Sequence, residues 1–195
     1  MPETRDFVTI VSGLPRSGTS LMMQLLNAGG VPPLTDQLRA PDANNPRGYF
    51  EFEAVKQLRR DRSWLANARG KSVKIIHLLL SELPADGTLT FRVILMRRAI
   101  AEVLASQRRM LARDGKPPGA VSDEQLGRIF LGQMEKAEQQ MASSPAFRVL
   151  QVEHRALLTD PAPIAEQINQ FLGGGLNTAA MVAAVDPSLY RERGQ

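Results

Sequence analysis

The 195-residue chain contains no cysteine and only two histidines, His77 and His154. Without cysteine there is no disulfide scaffold, no thiolate ligand and no thiolate nucleophile, and the composition fits a reducing compartment. Two imidazoles make a multi-histidine metal site improbable, and no metal is expected. Long hydrophobic runs are also lacking. The longest apolar stretch, Ile75–Leu80, is interrupted by His77 and is far too short to span a bilayer. Met1–Asp6 lacks the charged-then-apolar layout of a signal peptide. These absences predict a cytoplasmic protein with no membrane partner. Aromatic residues make up 5% of the chain, and the excess of +4 in Lys and Arg is spread along it. No nucleic-acid module motif is present, so no nucleic-acid partner is expected; a small anionic ligand accounts for the mild basicity equally well.

What is present is an alternation of strand and helix patterns. Strands are predicted at Phe7–Ser12, Ser72–Ile76, Phe91–Met96 and Phe147–Val152. Helices are predicted at Thr19–Ala28, Glu53–Ala68, Ala99–Ala112, Ser122–Met141, Pro161–Leu172 and Thr178–Val185. Ser122 and Gln125 form a capping box, while Gly29–Pro33 and Gly173–Gly175 stop the helices before them. Leu34–Gly48 and Arg113–Val121 read as loops. The alternation argues for one α/β domain over residues 1–195, with a parallel sheet of about four to five strands and helices on both faces.

The densest signal is the run Val8–Ser20, in which a β-branched strand enters the turn Gly13-Leu14-Pro15-Arg16-Ser17-Gly18 and then Thr19 and Ser20 open an amphipathic helix. Such a layout turns several backbone N–H groups, hydroxyls and one guanidinium toward a single anion. It nearly spells the phosphate loop G-x-x-x-x-G-K-[ST], but Thr19 stands where the Lys belongs. In a nucleoside-triphosphate enzyme that Lys neutralises the β- and γ-phosphates. Here the fixed cation is Arg16, earlier in the loop.

Pro15-Arg16-Ser17-Gly18-Thr19-Ser20 resembles the 5′-phosphosulfate loop of the sulfotransferases, P-[KR]-S-G-T-[ST]. The resemblance implies a P-loop-like α/β fold. It also implies use of 3′-phosphoadenosine 5′-phosphosulfate (PAPS), which leaves as 3′,5′-diphosphoadenosine (PAP). The N–H groups of Ser17, Gly18, Thr19 and Ser20, with the last two hydroxyls, would then hold the 5′-phosphate. Arg16 would stabilise the bridging oxygen as the sulfuryl group departs.

Three further segments resemble the same family in the expected order. Arg97–Ser106 matches the segment whose Arg and Ser hold the 3′-phosphate, which falls on Arg98 and Ser106, with Arg97 competing for the role. Val73–Pro84 resembles the region that carries the catalytic His of cytosolic members, which falls on His77; Lys74 lies one residue out of register with the family's Lys. An imidazole suits a base that takes a proton from an acceptor hydroxyl near neutral pH. Val149–His154, Asp160-Pro161 and Phe171–Gly173 resemble the family's later strand and helix boundaries, with Val152 in place of a nucleotide-contacting Tyr.

Arg16 in the loop and the segment Asn45–Glu51 look more like bacterial members. The C-terminal clamp of the cytosolic enzymes is missing, with only Arg191 and Arg193 available to replace it. Glu51, Asp36 and Glu53 are carboxylates on the presumed acceptor side and compete with His77 as base, Glu51 foremost. The acceptor is expected to be a small molecule or glycan bearing a hydroxyl or amine. Two other readings stay open: a P-loop nucleoside-triphosphate kinase or hydrolase, and an inactive anion- or nucleic-acid-binding module of the same fold.

Overall fold

The computed structural model describes residues 5–36, 38, 48–117 and 119–185. Its centre is a four-stranded, wholly parallel sheet in the order β2-β1-β3-β4. The strands are β1 (Val8–Gly13), β2 (Ser72–Lys74), β3 (Phe91–Arg97) and β4 (Phe147–Glu153). The helices are α1 (Thr19–Ala28), α2 (Ile100–Arg113), α3 (Asp123–Ala142), α4 (His154–Thr159), α5 (Pro161–Phe171) and α6 (Thr178–Ala184).

Successive side chains of a strand point to opposite faces, so the sheet separates two cores. Val8 and Ile10 of β1 and Phe91, Val93 and Leu95 of β3 join Val103, Phe130, Met134 and Met141 of α2 and α3 in one core. Val11, Ile94, Met96 and Val152 face the other way, against α1, α5 and α6 through Met22, Leu26, Ile168 and Met181. Both inner strands are covered on both faces, which is why they read as near-continuous apolar runs. Edge strand β4 is mostly exposed or half-exposed, with Val152 as its one buried residue.

Two local expectations are corrected. Glu53–Ala68 is not one helix but two short 3₁₀ segments, Glu53–Gln57 and Ser63–Ala68. Asp61 breaks it: its Oδ1 accepts the N–H of Ser63 at 2.9 Å, a local turn that competes with helical bonding. The second strand ends at Lys74, and the chain passes after Ile76 into a 3₁₀ turn, His77–Glu82. Helix α4 begins directly at the end of β4. Asn44–Arg47, Arg191 and Arg193 lie outside the described residues.

In this strand order the chain leaves β1 toward one edge of the sheet and β3 toward the other. The crevice beyond the carboxyl ends of β1 and β3 is therefore where an open α/β sheet accommodates a ligand. The loop after β1 and the segment Arg97–Ala99 after β3 both open there.

Candidate functional site

The loop after β1 turns on unusual backbone conformations. Arg16 has φ 67° and Gly18 has φ 98°, both in the left-handed region. Gly18 stands at the N-cap of α1, no side chain caps the helix, and its first turn holds no acidic residue. Its leading N–H groups and the positive end of its dipole thus point into the crevice. Ser17 is buried, 1% exposed, and its Oγ has no hydrogen-bond partner. Glycine at position 13 is required by packing, because a methyl group there would lie 2.5 Å from Ser17 Oγ and 2.8 Å from the carbonyl oxygen of Met96.

Arg16, Arg98 and Ser106 come together. Arg16 Nε donates to Ser106 Oγ at 3.1 Å, and Arg98 donates through Nη1 to the carbonyl oxygen of Arg16 at 2.9 Å. That second bond steadies the one non-glycine residue of the loop held at positive φ. Arg98 Nε also donates to Glu102 Oε2 at 2.9 Å, one helical turn into α2. Arg97 points elsewhere, onto Glu138 of α3. The loop after β1 and the segment Arg98–Ser106 are therefore joined by two side-chain bonds, while Thr19 and Ser20 are half-buried on the first turn of α1.

His154 completes the cluster. A methyl group on Gly18 would lie 2.4 Å from His154 Cδ2 and 3.2 Å from Nε2, so the imidazole rests directly on the loop. Burial, reinforced by Arg98 and opposed by Glu102, lowers its pKa from 6.5 to about 4. A depressed imidazole contributes stability above pH 6.5 that is lost as pH falls toward 4, because only the unfolded chain takes up the proton in that window. Thermal melts should show Tm falling across this interval by the equivalent of about 3 kcal/mol in all, and His154→Gln should lack that component. Identical pH profiles for the two proteins would refute it.

On the other side of the loop, Ser20 Oγ donates to the carbonyl oxygen of Tyr49 at 3.5 Å, and Lys74 Nζ donates to the same oxygen. Lys74, 12% exposed, also lies 3.6 Å from Glu51 Oε1. Glu51 is thus linked to the first turn of α1 through Lys74 and Tyr49. His77 is turned away, 4% exposed, with Nε2 2.9 Å from Gln133 Oε1 of α3. Asp36 accepts the N–H groups of Glu53 at 2.5 Å and Leu38 at 3.2 Å, and the first of these bonds holds its carboxyl below the usual range. Glu53 is exposed and paired with Lys56 at 2.7 Å. Val152 is 1% exposed and packed in the core, so it offers no surface to a nucleotide base.

Three participants have no role assigned from the sequence. Lys74 carried a weak signal, a lone cation inside an apolar strand. Gln133 carried none, being one polar residue on a long helix. His154 was read only as a strand boundary, since its place on Gly18 depends on β4 lying beside β3. Among the described residues there is no group of three or more His, Cys, Asp or Glu able to hold a metal, and no helix is long and apolar enough to cross a membrane.

No family model matches the chain, and no curated protein matches its sequence. Solved structures do match. The sulfotransferase domain of the Synechococcus PCC 7002 olefin synthase superposes with a TM-score of 0.53 at 14% identity, covering 96% of this chain and 88% of that one. The sulfotransferase domain from the curacin biosynthetic pathway gives 0.52 at 15% identity, covering 92% and 78%. A mouse sulfotransferase complexed with PAP gives 0.55 at 16% identity, covering 98% and 68%. The parallel sheet, the loop after β1 and the helices on both faces thus make up the sulfotransferase fold.

Proposed function

We propose that the chain is a PAPS-dependent sulfotransferase of bacterial, cytoplasmic type that moves a sulfuryl group to a hydroxyl or amine of a small molecule or glycan. The observation that carries this reading is the double tie between the phosphate loop and α2, Arg16 to Ser106 and Arg98 to the Arg16 carbonyl. A nucleotide with phosphates on both its 5′ and 3′ positions has two anions to place, and here two cationic groups share one crevice. The donor set fits such a molecule. Ser17 Oγ is buried without a partner, the first turn of α1 is uncapped, and any side chain on Gly18 would fill the cradle. Arg16 is set for a bridging oxygen and Arg98 with Ser106 for the 3′-phosphate.

In the transfer, a lone pair of the acceptor attacks sulfur and the bond from sulfur to the bridging oxygen breaks in line. PAP leaves with that electron pair, and the acceptor proton goes to a protein base. Glu51 takes it in this reading, because its carboxylate reaches toward the start of α1 through Lys74. His77 would first have to release Gln133. The kinase reading is weaker because Thr19 occupies the place of the phosphate-neutralising Lys.

The test is ligand-induced stabilisation. PAP at a hundredfold excess over its Kd should stabilise the protein by about 2.7 kcal/mol, a rise in Tm of roughly 5–10 °C, with ATP plus Mg²⁺ giving much less. A shift with ATP plus Mg²⁺ alone would refute the proposal. With PAPS and a panel of phenols and alcohols, Glu51→Gln should abolish turnover while keeping PAP stabilisation. Loss of turnover in His77→Gln with Glu51→Gln active would move the base to His77.

A further inference from the structure

His154 has no part in the transfer just described, yet it lies beside both halves of the site, because Glu153 just before it pairs with Arg97 just before Arg98 across β4 and β3. Its ring lies on Gly18 of the phosphate loop, and it feels the charges of Arg98 and Glu102 at the start of α2. The same Arg98 holds Glu102 and the Arg16 carbonyl. Arg98 and Glu102 act on the charge of the imidazole, Arg16 lies two residues before Gly18 on the loop, and Glu153 and Arg155 are its chain neighbours. Glu102 has a side chain 12% exposed, so its carboxylate depends on nearby cations rather than on water.

We infer that His154 is a positioning residue that takes over as the cation of Glu102 when Arg98 turns to the 3′-phosphate of a bound nucleotide. The inference rests on the assignment of Arg98 under the proposed function. In the free protein Arg98 satisfies Glu102 and repels a proton from His154. When a phosphate draws the guanidinium away, the carboxylate loses that partner and two negative charges border the imidazole. One proton from solvent then adds to a ring nitrogen of His154, and no covalent bond of the nucleotide changes. The ring stays against Gly18 throughout, so the loop keeps its left-handed turn while the charges beneath it are exchanged.

The chain has only two imidazoles, so both can be followed by proton NMR of the intact protein, with His154→Gln and His77→Gln each assigning the other signal. In the free protein the His154 resonance should titrate near pH 4. Saturation with PAP should raise that midpoint by roughly one pH unit or more, and 5′-AMP, which lacks the 3′-phosphate, should raise it by less than half as much. PAP affinity of the wild type should accordingly increase relative to His154→Gln as pH falls from 7, by about twofold at pH 5 for a midpoint moved up by one unit from about 4, with the full tenfold per unit reached only below the midpoint of the free protein. A midpoint unchanged by bound PAP overturns the inference, as does an equal effect of 5′-AMP. If PAP perturbs no resonance at all, the sulfuryl-transfer reading fails first and this one falls with it.

Discussion

Gly18→Ala is expected to lower Tm by roughly 5–15 °C and to weaken PAP binding by more than about tenfold. Two physical effects add. At φ 98° an L-residue meets its own carbonyl, which costs on the order of 1–2 kcal/mol. The new methyl group would also lie 2.4 Å from His154 Cδ2, so either the imidazole or the loop must shift, at a further cost of about 1–3 kcal/mol. The two effects can be separated. In a His154→Ala background the collision is absent and only the backbone cost remains, so Gly18→Ala should be milder there than in the wild type. Calorimetric titration with PAP and thermal melts of the four proteins measure this cycle. Wild-type stability and affinity in Gly18→Ala would show that the loop does not depend on its left-handed turn.

The second large effect is selective. Arg98→Ala should reduce affinity for PAP by about 10- to 100-fold, the equivalent of one charge-assisted hydrogen-bonded contact, and affinity for 5′-AMP by only a few-fold. The smaller loss is not zero, because Arg98 also donates to the carbonyl oxygen of Arg16, in the loop proposed to hold the 5′-phosphate. Arg98→Lys should recover part of the charge but not the fork that reaches Glu102 and Arg16 together. Equal losses for the two nucleotides would take Arg98 out of the 3′-phosphate site and leave it as a brace of the loop.

Much of the architecture is written locally in the chain. Helix α1 spans Thr19–Ala28 as its pattern requires, because Gly18 starts it and Gly29 stops it. Helix α3 begins at the Ser122–Gln125 capping box, in which Gln125 N–H meets Ser122 Oγ at 3.2 Å and Ser122 N–H meets Gln125 Oε1 at 3.3 Å. Failures came where a neighbour distant in sequence or a competing local bond decides. The apolar spacing of Glu53–Ala68 suits a helix, but Asp61 captures the N–H of Ser63 and breaks it. The order of residues places His77 at a strand end; only the packing of α3 against the 3₁₀ turn reveals Gln133 bound to it. Only the family resemblance favours Arg98 over Arg97 in the sequence. They diverge because one meets Glu138 of α3 and the other meets the loop. That Arg16, Arg98 and Ser106 could meet was legible as a set of residue types, whereas the bonds between them depend on which strands lie side by side.

The sheet divides the interior into two cores, with α2 and α3 in one and α1, α5 and α6 in the other. The loop after β1 leads into α1, while Arg98 precedes α2 and Ser106 lies within it. A nucleotide held by both would act as a rivet through the two layers at the open end of the sheet. Neither layer could be redesigned, shortened or transplanted by itself without losing half the rivet hole. Binding at that place would in this sense be a property of how the layers are joined, and of no single layer.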